Sequence, residues 1–448
     1  MKLLHWMALL AAALLAGCQT PAPPQAVAEA APAPTACPAG VPADTRCLAG
    51  TDSAGAHYLI AMPAPWSGVL VLHAHGGPEL GVPKAERSGE DLKRWAVMVR
   101  AGHAWAGSTF RQGGVAVRSA AEDTERLRRI FVSHVAKPRQ TVLHGQSWGA
   151  SVAAKAAEMY AGPGQQPPAY DGVLLSSGVL AGGTRAYDFR LDLRVIYQRL
   201  CGNHPRSDEP AYPLWQGLPP ESKLTRPELN ARVEDCLGLR RPAAQRTAEQ
   251  QARIATIVRV LRIPEASIPG HLAWATWHFQ DIAQRRSDGG NVFGNVGARY
   301  AGSDDDAALN AGVLRYAADP QAVRRFGADT DPDGRIGVPV LTVHGVKDSI
   351  AFIEIEAAFR QTMEKAGTAE RLVQTFTDDA EHSYLSDPVY PALIDALLRW
   401  TQGGAKPTPA AIANDCERAQ ARFGPGCRFL PDFRPAALDT RVTPRQRP

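Results

Sequence analysis

The sequence predicts an α/β fold: a mostly parallel sheet with helices on both faces, and a helical cap inserted after the strand that follows the central helix. Three observations carry this reading. Apolar runs of strand length alternate with amphipathic helical patterns from His57 to Ser176. That rhythm stops near Ala181, and the sequence is helical and loop-rich as far as Asp333. It resumes at Val338 and runs to Trp400.

Each element has its own signal. His57–Met62 and Val69–His75 read as strands on either side of the turn-like Pro63-Ala64-Pro65-Trp66-Ser67-Gly68. Val69-Leu70-Val71-Leu72 is continuously apolar, as a strand buried on both faces must be, and it leads into His75-Gly76-Gly77-Pro78. Leu92, Trp95, Ala96 and Val99 share one stripe of a helix over Glu90–Arg100. His103–Phe110 is a strand, and Ala120–Val135 is a helix with Leu127, Ile130, Phe131 and Val135 at helical spacing. Thr141–His144 is a strand, Ser147–Tyr160 an alanine-rich helix, and Asp171–Ser176 the next strand. Ser176-Ser177-Gly178 then marks the entry to the cap, where Pro227–Leu239, Ala252–Ile263 and His271–Arg285 read as helices. Val338–His344, Ile353–Ala366, Arg371–Phe376 and Val389–Trp400 restore the strand–helix order. The predicted organisation is a leader at 1–17, a Pro/Ala-rich tether at 18–36, a core in two parts at 37–180 and 334–400 around the cap at 181–333, and a Pro-rich tail at 401–448.

The chemistry centres on Gly145-Gln146-Ser147-Trp148-Gly149, a G-x-S-x-G pattern between an apolar run and a helical one. A strand that reverses sharply into a helix puts its central residue at a strained corner, so Ser147 projects its hydroxyl from the tip. Serine is a weak nucleophile at neutral pH and needs a base, which in turn needs an orienting carboxylate. In an open α/β sheet these must come from loops after the strands. Asp348 follows the strand that ends in Val343-His344-Gly345, and His382 lies in the loop after Arg371–Phe376. Asp378 and Asp379 are rivals for the carboxylate. His344 lies inside its strand, as a core residue or one standing behind the site.

The order Ser147, Asp348, His382, together with the elbow and the His-Gly-Gly stretch, resembles the α/β-hydrolase superfamily over roughly Leu59 to Trp400. The resemblance implies an α/β-hydrolase fold and a serine hydrolase acting on carboxylic esters through an acyl-enzyme, with an amidase or peptidase on the same fold as the nearest rival. A catalytically silent envelope-binding protein is a reading of another class. His75-Gly76-Gly77 resembles the oxyanion motif of esterases and lipases. By that resemblance the backbone amides of Trp148 and Gly77, with Gly76 as the alternative to Gly77, are the oxyanion donors. Pro78 stands where the fuller motif has a third glycine. Asn310–Tyr316 and Pro339–Gly345 resemble exported prolyl-oligopeptidase-like hydrolases. Trp274, Trp277 and Phe279 are candidates for a pocket in the cap, or for its packing onto the body.

Lys2, the apolar Met7–Leu15 and Leu15-Ala16-Gly17-Cys18 resemble a bacterial lipoprotein leader, with Cys18 as the lipidated residue. By the same resemblance Gln19 favours the outer membrane. The expected location is the cell envelope, with membrane association through the lipid anchor alone. Of seven cysteines, six remain after Cys18, and they fall into local couples. The expected disulfides are Cys37–Cys47, Cys201–Cys236 and Cys416–Cys427. The composition, 45% hydrophobic and 21% charged, is that of an ordinary globular protein. The net charge of +4 is small, and no basic run carries interleaved aromatics, so nucleic acid is not an expected partner. No cofactor is expected. Asp329-Thr330-Asp331-Pro332-Asp333-Gly334 matches half of a calcium loop, but Val340 stands where the closing glutamate belongs, which makes it a solvated linker. No metal site is therefore expected, and the oligomeric state is left open.

Overall fold

The structure, a computed structural model, describes residues 28–448. The expected leader, Cys18 and the first part of the tether lie outside the described residues. Nine strands form one sheet: β1 (Ala33–Thr35), β2 (Arg46–Thr51), β3 (His57–Met62), β4 (Val69–Ala74), β5 (Ala104–Ser108), β6 (Gln140–Gln146), β7 (Gly172–Ser176), β8 (Val340–Gly345) and β9 (Leu372–Thr377). Their order is β1-β2-β3-β5-β4-β6-β7-β8-β9. β1, β2, β3 and β5 pair antiparallel in succession, and every later pairing is parallel. This order, with one swapped pair before the elbow strand and helices on both faces, is that of the α/β-hydrolase fold.

Every residue of β4, β7, β8 and β9 is buried, in keeping with their mostly apolar or small residues, among which His73, His344 and Gln374 are the larger polar members. One face is covered by the helices Val117–His134 and Trp148–Tyr160, and this core continues into the cap. The other is covered by Glu86–Arg94, Ala96–Arg100 and Val389–Thr401. From β4 the chain crosses to β5 on one side, then returns to β6 on the other. The C-terminal ends of β4 and β6 therefore flank a switch point, where loops diverge and leave a crevice.

Several expectations need correction. The stretch expected to be a tether as far as residue 36 is folded in part, because Ala33–Thr35 pairs antiparallel with Cys47–Ala49 as β1. The helix expected over Glu90–Arg100 is two helices broken at Trp95, whose ring is fully buried against His144 and Tyr390. The tail is more than a disulfide-pinned segment. It carries the helix Pro409–Phe423, an isolated bridge from Phe429 to Thr377, and a terminal stretch clasped to the cap. Cys37–Cys47, Cys201–Cys236 and Cys416–Cys427 are all bonded as expected. The cap holds the expected helices as Arg226–Leu237, Ala248–Leu261 and Ile268–Asp281, and adds Asp188–Cys201, Asp306–Gly312 and Pro320–Thr330. No helix among the described residues is long and apolar enough to cross a membrane.

Candidate active site

Ser147 sits between β6 and the helix Trp148–Tyr160 with φ 56° and ψ −121°. A non-glycine residue in that region is strained, and neighbours must hold it there. The Ser147 amide donates to the Ser176 carbonyl at 2.9 Å, and the Val179 amide donates to the Ser147 carbonyl at 3.1 Å. The Ser176-Ser177-Gly178 stretch thus braces the corner as well as leading into the cap. Gly149 makes the corner possible, since a Cβ there would stand 2.1 Å from the Ala74 carbonyl oxygen.

Ser147, His382 and Asp348 form one hydrogen-bonded chain. Ser147 Oγ lies 2.7 Å from His382 Nε2, and His382 Nδ1 lies 2.7 Å from Asp348 Oδ2. A carboxylate can only accept, so Nδ1 carries the proton, and Nε2 is left to accept from the serine hydroxyl. Asp348 is fixed through its other oxygen, which accepts the amides of Ile350 at 2.8 Å and Ala351 at 3.2 Å. The His382 loop is anchored by Tyr390, whose hydroxyl donates to the Ser383 carbonyl and accepts the Leu385 amide, each at 2.9 Å. Gln146 Nε2 adds a short bond to the Ser383 hydroxyl.

A second charged layer stands behind Asp348. His344, fully buried in β8, places Nε2 3.3 Å from Asp348 Oδ2 and Nδ1 3.2 Å from Glu356 Oε1. Nε2 also donates to the Ala351 carbonyl at 2.9 Å. Burial opposes charge on this ring, but the hydrogen bonds and charges of Asp348 and Glu356 outweigh it and raise its pKa to about 10. Burial likewise opposes ionisation of Asp348, but hydrogen bonds from His344 and His382 hold it well below the usual carboxylate range. The rival carboxylates serve elsewhere: Asp378 pairs with Lys347 at 2.6 Å and Asp379 with Arg428 at 2.7 Å.

Gly76, Gly77 and Trp148 line the same cavity as Ser147 and His382, a space of about 300 Å³. Gly77 has φ +73°, which a side chain would strain, and open space where a Cβ would stand. The Gly76 carbonyl accepts from Arg87 Nη2 at 3.0 Å. In a trans peptide the following N–H points the opposite way, so this contact turns the Gly77 amide away from Arg87.

Of the three cap aromatics, the structure brings Trp274 to the cavity and leaves out Trp277 and Phe279. Phe279 is buried in the cap, its ring stacked on Phe293 at 4.3 Å, and Trp277 packs under the Arg226 guanidinium at 5.1 Å. Phe279 meets the edge of Trp274 from within the cap, with ring centres 5.9 Å apart, and so backs the tryptophan without reaching the cavity. Sequence reasoning missed Tyr187, Arg190, Arg87 and Arg94 in the lining. It also missed two histidines, seven residues apart on one helix, that tie the cap to the site. His271 donates to the Ser349 carbonyl at 2.9 Å and His278 to the Pro78 carbonyl at 3.0 Å.

The half calcium loop is dispersed. Asp329 accepts the amides of Val117 and Arg118, Asp331 bonds Thr184, and Asp333 accepts from Arg335. No cluster with metal-ligand character occurs among the described residues.

No protein-family model matches the sequence, and no curated protein matches it. Solved structures of similar shape include feruloyl esterase B from Aspergillus oryzae, at 14% identity over 84% of this chain and 86% of that one, with a TM-score of 0.40. A membrane phospholipase A described as a bacterial virulence factor aligns at 12% identity over 81% and 88%, with a TM-score of 0.38. A mutant of the rice cell wall degrading esterase LipA from Xanthomonas oryzae aligns at 13% identity over 80% and 90%, with a TM-score of 0.37. The strand order, and not this likeness, carries the assignment of the α/β-hydrolase fold.

Proposed function

We propose that the chain is a serine hydrolase that cleaves carboxylic esters through an acyl-enzyme. One observation carries the reading: the unbroken hydrogen-bonded chain from Ser147 Oγ through His382 to Asp348, opening on a cavity. His382 Nε2 takes the hydroxyl proton as Ser147 Oγ attacks the acyl carbonyl. The oxyanion that forms accepts from the Trp148 and Gly77 amides, and loss of one such donor typically costs about 2.7–4 kcal/mol of transition-state stabilisation. The Arg87 contact fixes the Gly76–Gly77 peptide, and the open space beside Gly77 supports its amide over that of Gly76. His382 then gives its proton to the departing alcohol, and a water activated by the same nitrogen releases the acid. Asp348 holds the imidazole in the tautomer these steps require. On the leader, the protein is placed in the bacterial envelope, lipidated at Cys18.

A fluorophosphonate probe tests the chemistry. It should label the folded protein at Ser147, and Ser147→Ala should lose both the label and turnover of p-nitrophenyl butyrate. Undiminished turnover by that variant would refute the assignment. Cleavage of aminoacyl amides with no cleavage of short esters would move the activity to the amidase class on the same residues.

A further inference from the structure

The cavity beside Ser147 carries charge of one sign: its lining includes Arg87, Arg94 and Arg190, and no aspartate or glutamate. Arg87 is already committed, to Asp91 at 2.9 Å, to Glu79 and to the Gly76 carbonyl. Arg94 is exposed. Arg190 is the unusual one. It is 6% exposed, and its Nε has no hydrogen-bond partner among the described residues. Burial draws its pKa down to about 10, which leaves it a cation at neutral pH, and no carboxylate acts to restore it. Its guanidinium carbon lies 4.3 Å from the ring centre of Trp274, 4.6 Å from Phe189 and 5.2 Å from Tyr187.

The same helix provides the contrast. Asp188 and Asp192 meet Arg447 and Arg445 at 2.6 Å each. Arg194, one turn beyond Arg190, is also buried and its Nε too lacks a partner, but its Nη1 donates to the Ala275 carbonyl and Thr276 and its Nη2 to the Tyr212 hydroxyl. The fold therefore gives each of the two aspartates a counter-ion and Arg194 neutral acceptors, and leaves the Arg190 guanidinium, with no hydrogen-bond partner among the described residues, to the cavity. A buried cation without an anion is costly, and aromatic faces recover only part of that cost.

Resting on the serine-hydrolase reading, we propose that Arg190 determines specificity. The substrate is an ester that bears a second, anionic group, a carboxylate, held by the Arg190 guanidinium against Trp274. A planar fork with free donors matches a carboxylate better than it matches a neutral polar group.

The test compares esters with and without the charge. 4-Acetoxybenzoate and 4-acetoxybenzamide place it on the leaving group. Mono-4-nitrophenyl adipate and 4-nitrophenyl hexanoate place it on the acyl group. In at least one pair the wild type should prefer the carboxylate in kcat/KM, and Arg190→Met should reduce that preference by about 10–150-fold, chiefly through KM. Arg190→Lys should recover part of it. If the aromatic cage serves packing alone, both members of each pair fall together and the ratio stays fixed, which overturns the proposal. Equal rates for both members in the wild type overturn it without any variant, as does failure of benzoate and adipate to inhibit better than their amides. Fluorophosphonate labelling at Ser147 separates the two levels: labelling with no charge preference sinks only the specificity, and no labelling sinks the hydrolase reading beneath it.

Discussion

Replacing Asp348 by asparagine is the most informative change at the site, because it alters one atom's chemistry and little else. Oδ1 accepts the Ile350 and Ala351 amides, and an asparagine carbonyl would keep both bonds. Oδ2 accepts from His382 Nδ1 at 2.7 Å, and an NH₂ group there would face a donor with a donor. The imidazole escapes that clash by moving its proton to Nε2. Nε2 can then only donate to Ser147 Oγ, 2.7 Å away, so the base is lost although the geometry survives. In a serine-protease triad this tautomer error lowers kcat by about 10⁴-fold, or about 5.5 kcal/mol at 1.36 kcal/mol per decade. The same is expected here, with KM little changed. A smaller stability loss, about 1–3 kcal/mol, follows because His344 Nε2 also loses its acceptor at Oδ2. Steady-state kinetics on p-nitrophenyl butyrate, paired with thermal unfolding, separate the two effects. If Asp348→Asn keeps activity within tenfold of wild type while melting at the same temperature, Asp348 does not orient His382 and the reasoning fails.

Two further outcomes are expected. His344 titrates near 10 in the folded protein against an ordinary 6.5, so its contribution is complete below pH 6.5 and is lost as pH rises toward 10. The melting-temperature gap between wild type and His344→Gln should therefore narrow from pH 6 to pH 10, and a constant gap would show that the ring is not a cation. Asp348 runs the other way: its contribution is present above the ordinary 3.8 and fades as pH falls below it. Arg445→Ala should cost about 3–5 kcal/mol in denaturant unfolding, because it strips a buried partner from Asp192. A loss below 1 kcal/mol would mean the pair is screened by water.

The core of the fold was readable because β4 and β6 through β9 obey simple rules: short, mostly apolar or small, and followed by a helix or a loop. Ser147, Asp348 and His382 stand out because each directly follows, or lies in the loop after, such a strand. The cap was harder. In Asp188-Phe189-Arg190-Leu191-Asp192 the buried face itself carries charges, so the apolar stripe that marks a helix is broken. The two aspartates are paired with Arg445 and Arg447, more than 250 positions away, a distance at which sequence pattern carries no signal. β1 is three residues long and alanine- and proline-containing, so only its partner β2 identifies it as a strand. Phe279 shows the converse error: proximity to Trp274 in sequence suggested a shared pocket, but its ring packs behind Trp274 in the cap core and only Trp274 reaches the cavity.

The clasp between Arg445 and Asp192 sets an order of events in the making of the chain. The two residues are 253 positions apart. A chain that emerges N-terminus first, as an exported one does across a membrane, presents the acid well before its counter-ion. During that interval the cap helix must either keep its aspartates in water or bury them uncompensated, and the second is prohibitive. The sheet can assemble around β6 as it emerges, but the roof over Ser147 cannot close until the Arg445 stretch arrives. Cleft assembly is therefore a late event, and a chain clipped before Arg445 would carry a formed elbow beneath an open, charged and protease-sensitive cap.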